Sequence, residues 1–341
     1  MGTDIGSLVS KKEIELKELQ GLTLGFDSFN MLYQFLSIIR GQSGEPLMDS
    51  KGRITSHLSG LFYRTINLIE LGIKPVFVFD GKPSKLKEKT LNERNKIRTQ
   101  AKEKFEKALE EKDFESAKKY AQQAVKLSEE MVNDSKKLLS LMGLPIVEGK
   151  SEGEAQIAKM VEKNDLHGCV SQDFDALLFG TEKLYRNIAF SGKRKLPGKN
   201  IFIDVKPEEI SLSETLKELQ ISREKLVWIG ILVGTDFNEK FPKIGPKTAL
   251  KLVKESNSFE EIINKTNHSL ENADEIINIF LNPEFNPDYE IKFKEPEKEK
   301  IIEFLCEEHD FSKERVESSL EKLLNSLKEK GSQARLVKWF Q

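Results

Sequence analysis

The 341-residue chain has only two cysteines, Cys169 and Cys306, and four scattered histidines, none at zinc-ligand spacing. That scarcity excludes a disulfide framework and a Cys/His metal site, and points to a reducing compartment. No run of eighteen apolar residues occurs, and the opening "MGTDIGSLVSKKE" has no signal-peptide pattern, so neither a membrane span nor a membrane partner is expected. There is no G-x-x-x-x-G-K-[ST] loop, which argues against a P-loop ATPase or kinase. Net charge is nearly absent too: 54 Lys and Arg against 56 Asp and Glu leave −2, although charged residues make up 32% of the chain. The balance hides segregation, because residues 82–107 are mostly basic while the ends of the apolar runs carry Asp and Glu.

Those runs set the architecture. "LTLGFD" (22–27), "KPVFVFD" (74–80), "LPIVEG" (144–149) and "GCVSQD" (168–173) have buried-strand length and alternate with amphipathic helical stretches such as "SFNMLYQFLSIIR". The alternation predicts an α/β fold with a mainly parallel central sheet flanked by helices, whose ligands gather at the carboxyl ends of the strands. A helical insertion rich in Lys, Glu, Gln and Ala follows at 81–142. A hairpin-like excursion with a basic tip comes after Asp175, and the remainder reads as helical.

Three strands end in Asp27, Asp80 and Asp173; the fourth is followed by "SEGEA", with Glu152 and Glu154, and Asp175 lies two residues past Asp173. Each acid taken singly has a structural explanation. Asp27 could cap the next helix, Asp80 could form an Asx turn with Gly81, and Ser151 with Glu154 fits the capping box S-x-x-E. Taken together, the strand ends of one parallel sheet would bring six carboxylates into one crevice, where their repulsion calls for divalent cations. All-oxygen ligands suit Mg2+, with Mn2+ able to substitute, and a pair of such ions serves in-line phosphodiester hydrolysis.

A seventh acid, Asp236, opens "GTDFNEKFPKIGPKTALKLV" (234–253). The turn at Gly245, flanked by Lys243 and Lys247 and leading into a helix from about Thr248, reads as a helix-turn-helix or helix-hairpin-helix pattern of the kind that grips one duplex strand through its phosphates without reading sequence. At the other end, Gln333, Leu336, Trp339 and Phe340 fit the sliding-clamp pattern Q-x-x-[LIM]-x-x-[aromatic]-[aromatic], on a tail expected to be flexible after a Gly-Ser break.

In "SHLSGLFYRT", "GIKPVFVFDGKP", "SEGEA", "QDFDALLFG", "GTDF" with "IGPKTA" and "QARLVKWF", in that order and over nearly the whole chain, the sequence resembles the flap endonucleases of the structure-specific 5′-nuclease superfamily. The resemblance implies the PIN-like 5′-nuclease fold and assigns Asp27, Asp80, Glu152, Glu154, Asp173, Asp175 and Asp236 to two Mg2+ ions. It places Lys87 and Arg94 on the scissile phosphate; their spacing of seven independently puts both on one helix face. It stacks a base on Tyr33, sets Arg64 on DNA phosphate and Gly2 beside the substrate, and places 42–53 near a 3′-flap pocket. Gly153 departs from the family, which commonly has alanine there.

The implied division is an N-terminal part of the nuclease core at 1–80 and a helical arch at 81–142 that threads a single-stranded 5′ flap. An internal nuclease region follows at 143–328, with the DNA-binding hairpin at about 230–265, and then a clamp-binding tail at 329–341. The implied activity is removal of 5′ flaps at single-strand/duplex junctions in Okazaki-fragment maturation and repair, with 5′–3′ exonuclease activity beside it. The expected partners are branched DNA and a PCNA-type sliding clamp, and the expected protein is a monomer. Because the chain stops at Gln341 without the long basic extension of nuclear relatives, an archaeal, cytoplasmic setting is expected. A gap or bubble endonuclease, a 5′ exonuclease or an RNase on the same fold is the alternative; a non-catalytic clamp adaptor would have lost one or more of the seven acids.

Overall fold

The computed structural model describes residues 2–41, 45–111, 113, 116, 119–120, 123–189, 192–195 and 202–339. Among the described residues the strands are β1 (Lys12–Glu13), β2 (Thr23–Asp27), β3 (Lys74–Phe79), β4 (Ile146–Glu148), β5 (Gly168–Val170), β6 (Lys183–Arg186), β7 (Gly192–Lys195), β8 (Phe202–Val205) and β9 (Glu208–Ser211). Seven form one sheet in the order β1-β9-β6-β5-β2-β3-β4, and β7 and β8 pair as the separate hairpin after β6. Lys193, Arg194 and Lys195 of the stretch expected to form a basic tip belong to β7, and residues 196–201, which join it to β8, lie outside the described residues. Strands β4, β3, β2, β5 and β6 run parallel, while β9 and β1 add antiparallel at the edge. The chain builds outward from β2 to β3 and β4, then returns to build β5 and β6 on the other side. The topological switch point, where α/β sheets bind ligands, therefore lies between the ends of β2 and β5.

The helices are α1 (Ser28–Ile38), α2 (Ser56–Glu70), α3 (Glu88–Glu110), α4 (Glu129–Leu141), α5 (Gly153–Glu162), α6 (Asp175–Leu178), α7 (Leu212–Leu219), α8 (Arg223–Val233), α9 (Pro246–Lys254), α10 (Phe259–Thr266), α11 (Ala273–Leu281), α12 (Lys298–Ile302) and α13 (Lys313–Trp339). Serines start four of them: Ser128, Ser211, Ser222 and Ser258 accept from the backbone N–H of Met131, Glu214, Lys225 and Glu261. Each such cap stabilises its helix by about 1 kcal/mol.

Both faces of the sheet are covered, as the apolar strands require. In β3, Phe77 and Phe79 face a core completed by α1, α2, α4 and the first half of α13, whereas Val76 and Val78 face the core under α5, α6 and α8. The register places Phe26 beside Phe77, ring centroids 5.6 Å apart. Val316, Leu320 and Leu323 pin α13 against this body. The backbone of α13 continues to Trp339, through the Gly-Ser pair expected to break it; Lys- and Glu-rich flanks with good helix propensity carry it past that pair.

Two strands escape a reading of apolar runs: β1 is only Lys12 and Glu13, and β9 follows directly on the β7–β8 hairpin. Both join through backbone pairing. A π-helical segment, Glu303–Glu308, is also invisible to periodicity.

Candidate metal centre and nucleic-acid interface

The seven acids arrive from five chain segments. Asp27 ends β2 and caps α1, its Oδ1 accepting from the backbone N–H of Asn30 at 3.0 Å. Asp80 follows β3 and accepts from the backbone N–H of Gly153 at 2.7 Å, so it binds the first turn of α5 rather than closing an Asx turn on Gly81. Gly153 allows this close approach: a Cβ there would stand 2.9 Å from Asp80 Oδ1.

The capping-box explanation of Glu154 fails. Glu152, not Ser151, occupies the N-cap of α5, and the Ser151 hydroxyl turns away to donate to the carbonyl of Glu284 at 3.4 Å. Glu154 instead points inward, is buried, and leaves Oε1 without a hydrogen-bond partner. A buried carboxylate oxygen with no donor is costly in an apo arrangement and is what a cation site leaves behind.

Asp173 and Asp175 flank the turn between β5 and α6, and the N-terminus folds onto them. The backbone N–H of Gly2 donates to Asp173 Oδ1 at 3.1 Å and that of Thr3 to Asp175 Oδ1 at 2.8 Å. Asp236 is aimed by the hairpin after α8. There Thr235 Oγ1 donates to Asn238 Oδ1 at 2.7 Å and accepts from the Phe237 N–H, while Asn238 Nδ2 ties the turn to the carbonyl of Ile231. Gly234 precedes it at φ 94°, and a Cβ would lie 2.9 Å from the backbone nitrogen of Lys240, so only glycine serves.

The electrostatics follow from burying so much charge of one sign. Burial and the neighbouring Asp80 push the Asp27 carboxyl well above the usual range, and burial with Asp27, Asp175 and Asp173 does the same to Glu154. Burial, Asp236 and Asp173 raise Asp175 to about 6. Asp80 and Glu152 are also raised by burial, with Lys87 pulling the other way. Lys87 pairs with Glu152 and lies 3.3 Å from Asp236, while Arg94 pairs with the other oxygen of Asp236. Burial works against the Lys87 charge, but Glu152, Asp236 and Asp80 hold it above the ordinary lysine range.

The donor set suits a hard divalent cation: seven carboxylates, all oxygen, one with an orphaned buried oxygen. Among the described residues no three acids converge closely enough to ligate one ion directly. Arg94 and Lys87 stand among them, and Mg2+ characteristically keeps several of its waters, so the crevice fits hydrated ions better than a tight protein cage.

The other expected residues sit around this crevice. Tyr33, on α1, is half-buried, and the Arg98 guanidinium covers its ring. Arg64 is exposed on α2. Gly245 is the N-cap of α9 with open space where a Cβ would be; Lys243, Lys247 and Thr248 are exposed around it. The helix starts at Pro246, two residues before the expected Thr248, because proline at the first position presets the helical φ. With α8 and the 234–245 turn, α9 forms the expected helix-hairpin-helix. Phe340 lies outside the described residues, as do the side chains of Gln333, Leu336 and Trp339. No described helix is long and apolar enough to cross a membrane.

Two residues join the site unannounced by motif. Asn30 donates from Nδ2 to Asp173 Oδ2 at 3.0 Å and accepts from the Gln172 N–H at 3.2 Å. Arg98 lies one turn beyond Arg94 on α3, a spacing the sequence displays, whereas Lys87 ends a short 3-10 helix (Lys85–Lys87) just ahead of α3 and so does not share the single helix face expected for it and Arg94.

The fold and its acidic crevice are those of a nuclease core of XPG type: residues 5–101 match the XPG N-terminal domain and residues 143–236 the XPG I-region. The segment between the two matches contains the end of α3 and all of α4. Over the full chain the sequence is 54% identical to flap endonuclease 1 of Pyrococcus abyssi, covering 98% of that protein, and 52% identical over 340 residues to flap endonuclease 1 of Archaeoglobus fulgidus, covering all of it. The solved flap endonuclease-1 from Methanococcus jannaschii superposes with a TM-score of 0.78 at 41% identity, covering 96% of this chain and 100% of that one. The chain belongs to the flap endonuclease family.

Proposed function

We propose that this protein is a divalent-metal-dependent endonuclease that cleaves 5′ flaps at single-strand/duplex junctions, in the maturation of replication intermediates and in repair. The observation that carries the reading is the crowding of acids from five chain segments near the switch point of the sheet, met by Lys87 just ahead of α3 and by Arg94 on it. Two Mg2+ ions held there, or Mn2+ in their place, would supply Lewis-acid stabilisation to the attacking and leaving oxygens of a phosphodiester hydrolysis.

The chain's own residues do the rest. Lys87 and Arg94 exchange their carboxylate partners for the scissile phosphate, Tyr33 offers its ring to a base beside it, and α3 forms one side of the arch through which the flap passes. Lys243, Lys247 and the backbone N–H groups at Gly245 and Thr248 hold a duplex phosphate, and Arg64 and the Gly2 end contact the DNA on either side. The tail, through Gln333, Leu336, Trp339 and Phe340, docks on a sliding clamp. The protein acts as an archaeal, cytoplasmic monomer. Deleting 333–341 should leave cleavage of naked DNA intact and remove its stimulation by the clamp.

The deciding experiment is single-turnover cleavage of a 5′-labelled double-flap DNA with Mg2+, comparing a free 5′ end with one blocked by a bulky group before enzyme is added. Incision only with the free end supports threading through the arch. Equal incision of both would replace this reading with a bubble or gap endonuclease on the same fold. Asp173→Ala should lower the rate at least about a hundredfold while flap binding persists, since grip comes mainly from phosphate contacts.

A further inference from the structure

Phe174 stands between the two aspartates of the β5–α6 turn, and its own ring is nearly buried, at 9% exposure. It is held from two sides. The Arg186 guanidinium stacks 4.3 Å from the ring centroid, and the Lys11 ammonium lies 5.6 Å from it. Gly6 closes against the ring edge so tightly that a Cβ there would stand 2.9 Å from it.

Arg186 does more than stack. Its Nε donates to the carbonyl of Gln172 at 3.1 Å, and its Nη1 donates to Glu208 at 3.1 Å, the residue opposite it in the β6–β9 register. One guanidinium therefore fixes the backbone just before Asp173 and the ring just after it. On the far side Asn30 takes the Gln172 N–H and donates to the Asp173 carboxylate. A lysine could keep the ion pair with Glu208, but it has no planar face to lay on Phe174 and no edge N–H to give Gln172 at the same time.

We infer that Arg186 is a positioning residue for the metal-ligand turn: by clamping Gln172 and Phe174 it sets the direction in which Asp173 and Asp175 project into the crevice, and so tunes divalent-cation affinity without touching substrate. The inference rests on Asp173 and Asp175 being ligands, as the proposed function has them. Its rival is that Arg186 and Glu208 are simply a cross-strand ion pair that steadies the sheet edge.

The two make opposite predictions for two variants. Arg186→Lys keeps the charge opposite Glu208 and loses the stacking and the Nε bond; Glu208→Gln breaks the ion pair and leaves the clamp. Mn2+ binding to the full-length protein, followed by the electron paramagnetic resonance of the free ion, should weaken roughly tenfold in Arg186→Lys, the usual scale for losing an outer-shell partner. It should stay at the wild-type value in Glu208→Gln. In cleavage, Arg186→Lys should need more Mg2+ for half-maximal rate yet reach the wild-type rate at saturation. Phe174→Leu, which removes the stacking surface from the other partner, should shift Mn2+ binding in the same direction as Arg186→Lys.

Wild-type Mn2+ affinity in Arg186→Lys, or equal losses in Arg186→Lys and Glu208→Gln, would overturn the inference and leave the ion pair as the whole role. Asp173→Ala measured beside them separates the two levels. If it binds Mn2+ like the wild type, the ligand assignment falls and the inference falls with it. If it loses binding while Arg186→Lys and Phe174→Leu do not, only the inference falls.

Discussion

The Lys87 ammonium lies 3.3 Å from Asp236 and pairs with Glu152, so a single cation just ahead of α3 meets two acids supplied by different segments of the chain. Its side chain is only 12% exposed, and the Phe237 ring lies 5.5 Å from Nζ. Lys87→Ala removes this counter-charge and the proposed phosphate contact together. Single-turnover cleavage should slow by roughly 10²-fold or more, the scale of losing one preorganised donor to developing charge. Junction affinity, which many phosphate contacts share, should change little. A mutant that cleaves at the wild-type single-turnover rate would refute the assignment.

Glu154 offers a test in which stability and activity move oppositely. Its buried carboxylate faces Asp27, Asp175 and Asp173, and Oε1 has no partner. Glu154→Gln removes a charge of the crowded sign and adds donors for the neighbouring acids. In chelator, urea unfolding should show a gain of about 1 kcal/mol or more, while Mg2+-dependent cleavage collapses. A loss of both would mark Glu154 as an ordinary structural residue.

The raised carboxyls set the pH dependence of the metal-free protein. Burial and the neighbouring Asp236 and Asp173 push Asp175 up from the ordinary aspartate value of 3.8 to about 6 in the folded chain, and Asp27 and Glu154 are displaced upward as well. Between those values the folded state holds protons that the unfolded state has released, so this contribution to stability falls as pH rises through the window. In chelator, the unfolding midpoint should therefore rise on going from pH 7.5 to 5. Saturating Mg2+, which favours the ionised acids, should flatten or reverse that trend. Denaturant titrations at the two pH values, with and without Mg2+, check the sign.

The hairpin at Gly245 makes a prediction about salt. If Lys247 neutralises one duplex phosphate, Lys247→Ala should reduce the slope of log affinity against log salt by about 1 and weaken binding alike for every sequence tested. An unchanged slope would place Lys247 away from the DNA.

Much of this site was legible before any coordinates. A carboxylate that ends an apolar strand is conspicuous, which is why Asp27, Asp80, Asp173 and Asp175 stand out, and the helix-hairpin-helix around Gly245 announces itself by glycine, proline and lysine. Local rules misread Glu154, because the spacing S-x-x-E says nothing of which way the side chain turns; Ser151 found Glu284 instead. Asn30 and Arg186 were hidden for a deeper reason. Asn30 reaches the 172–174 turn across 142 residues of sequence and Arg186 from the neighbouring strand β6, and neither contact follows a local pattern that could mark it. The edge strand β1 eluded detection because two charged residues paired through their backbone have no hydrophobic signature.

The order in which the acids occur along the chain has a consequence for biosynthesis. Asp27 leaves the ribosome early and Asp236 late, with Asp80, Glu152, Glu154, Asp173 and Asp175 between them, and the cations that balance Asp236 come from α3 and the turn just ahead of it, well over a hundred residues earlier. The growing polypeptide can therefore lay down β2, β3 and β4 before the full set of seven acids exists. Chains ended before the hairpin after α8 would lack Asp236, the acid on which Lys87 and Arg94 meet, and with it the last member of the proposed ligand set.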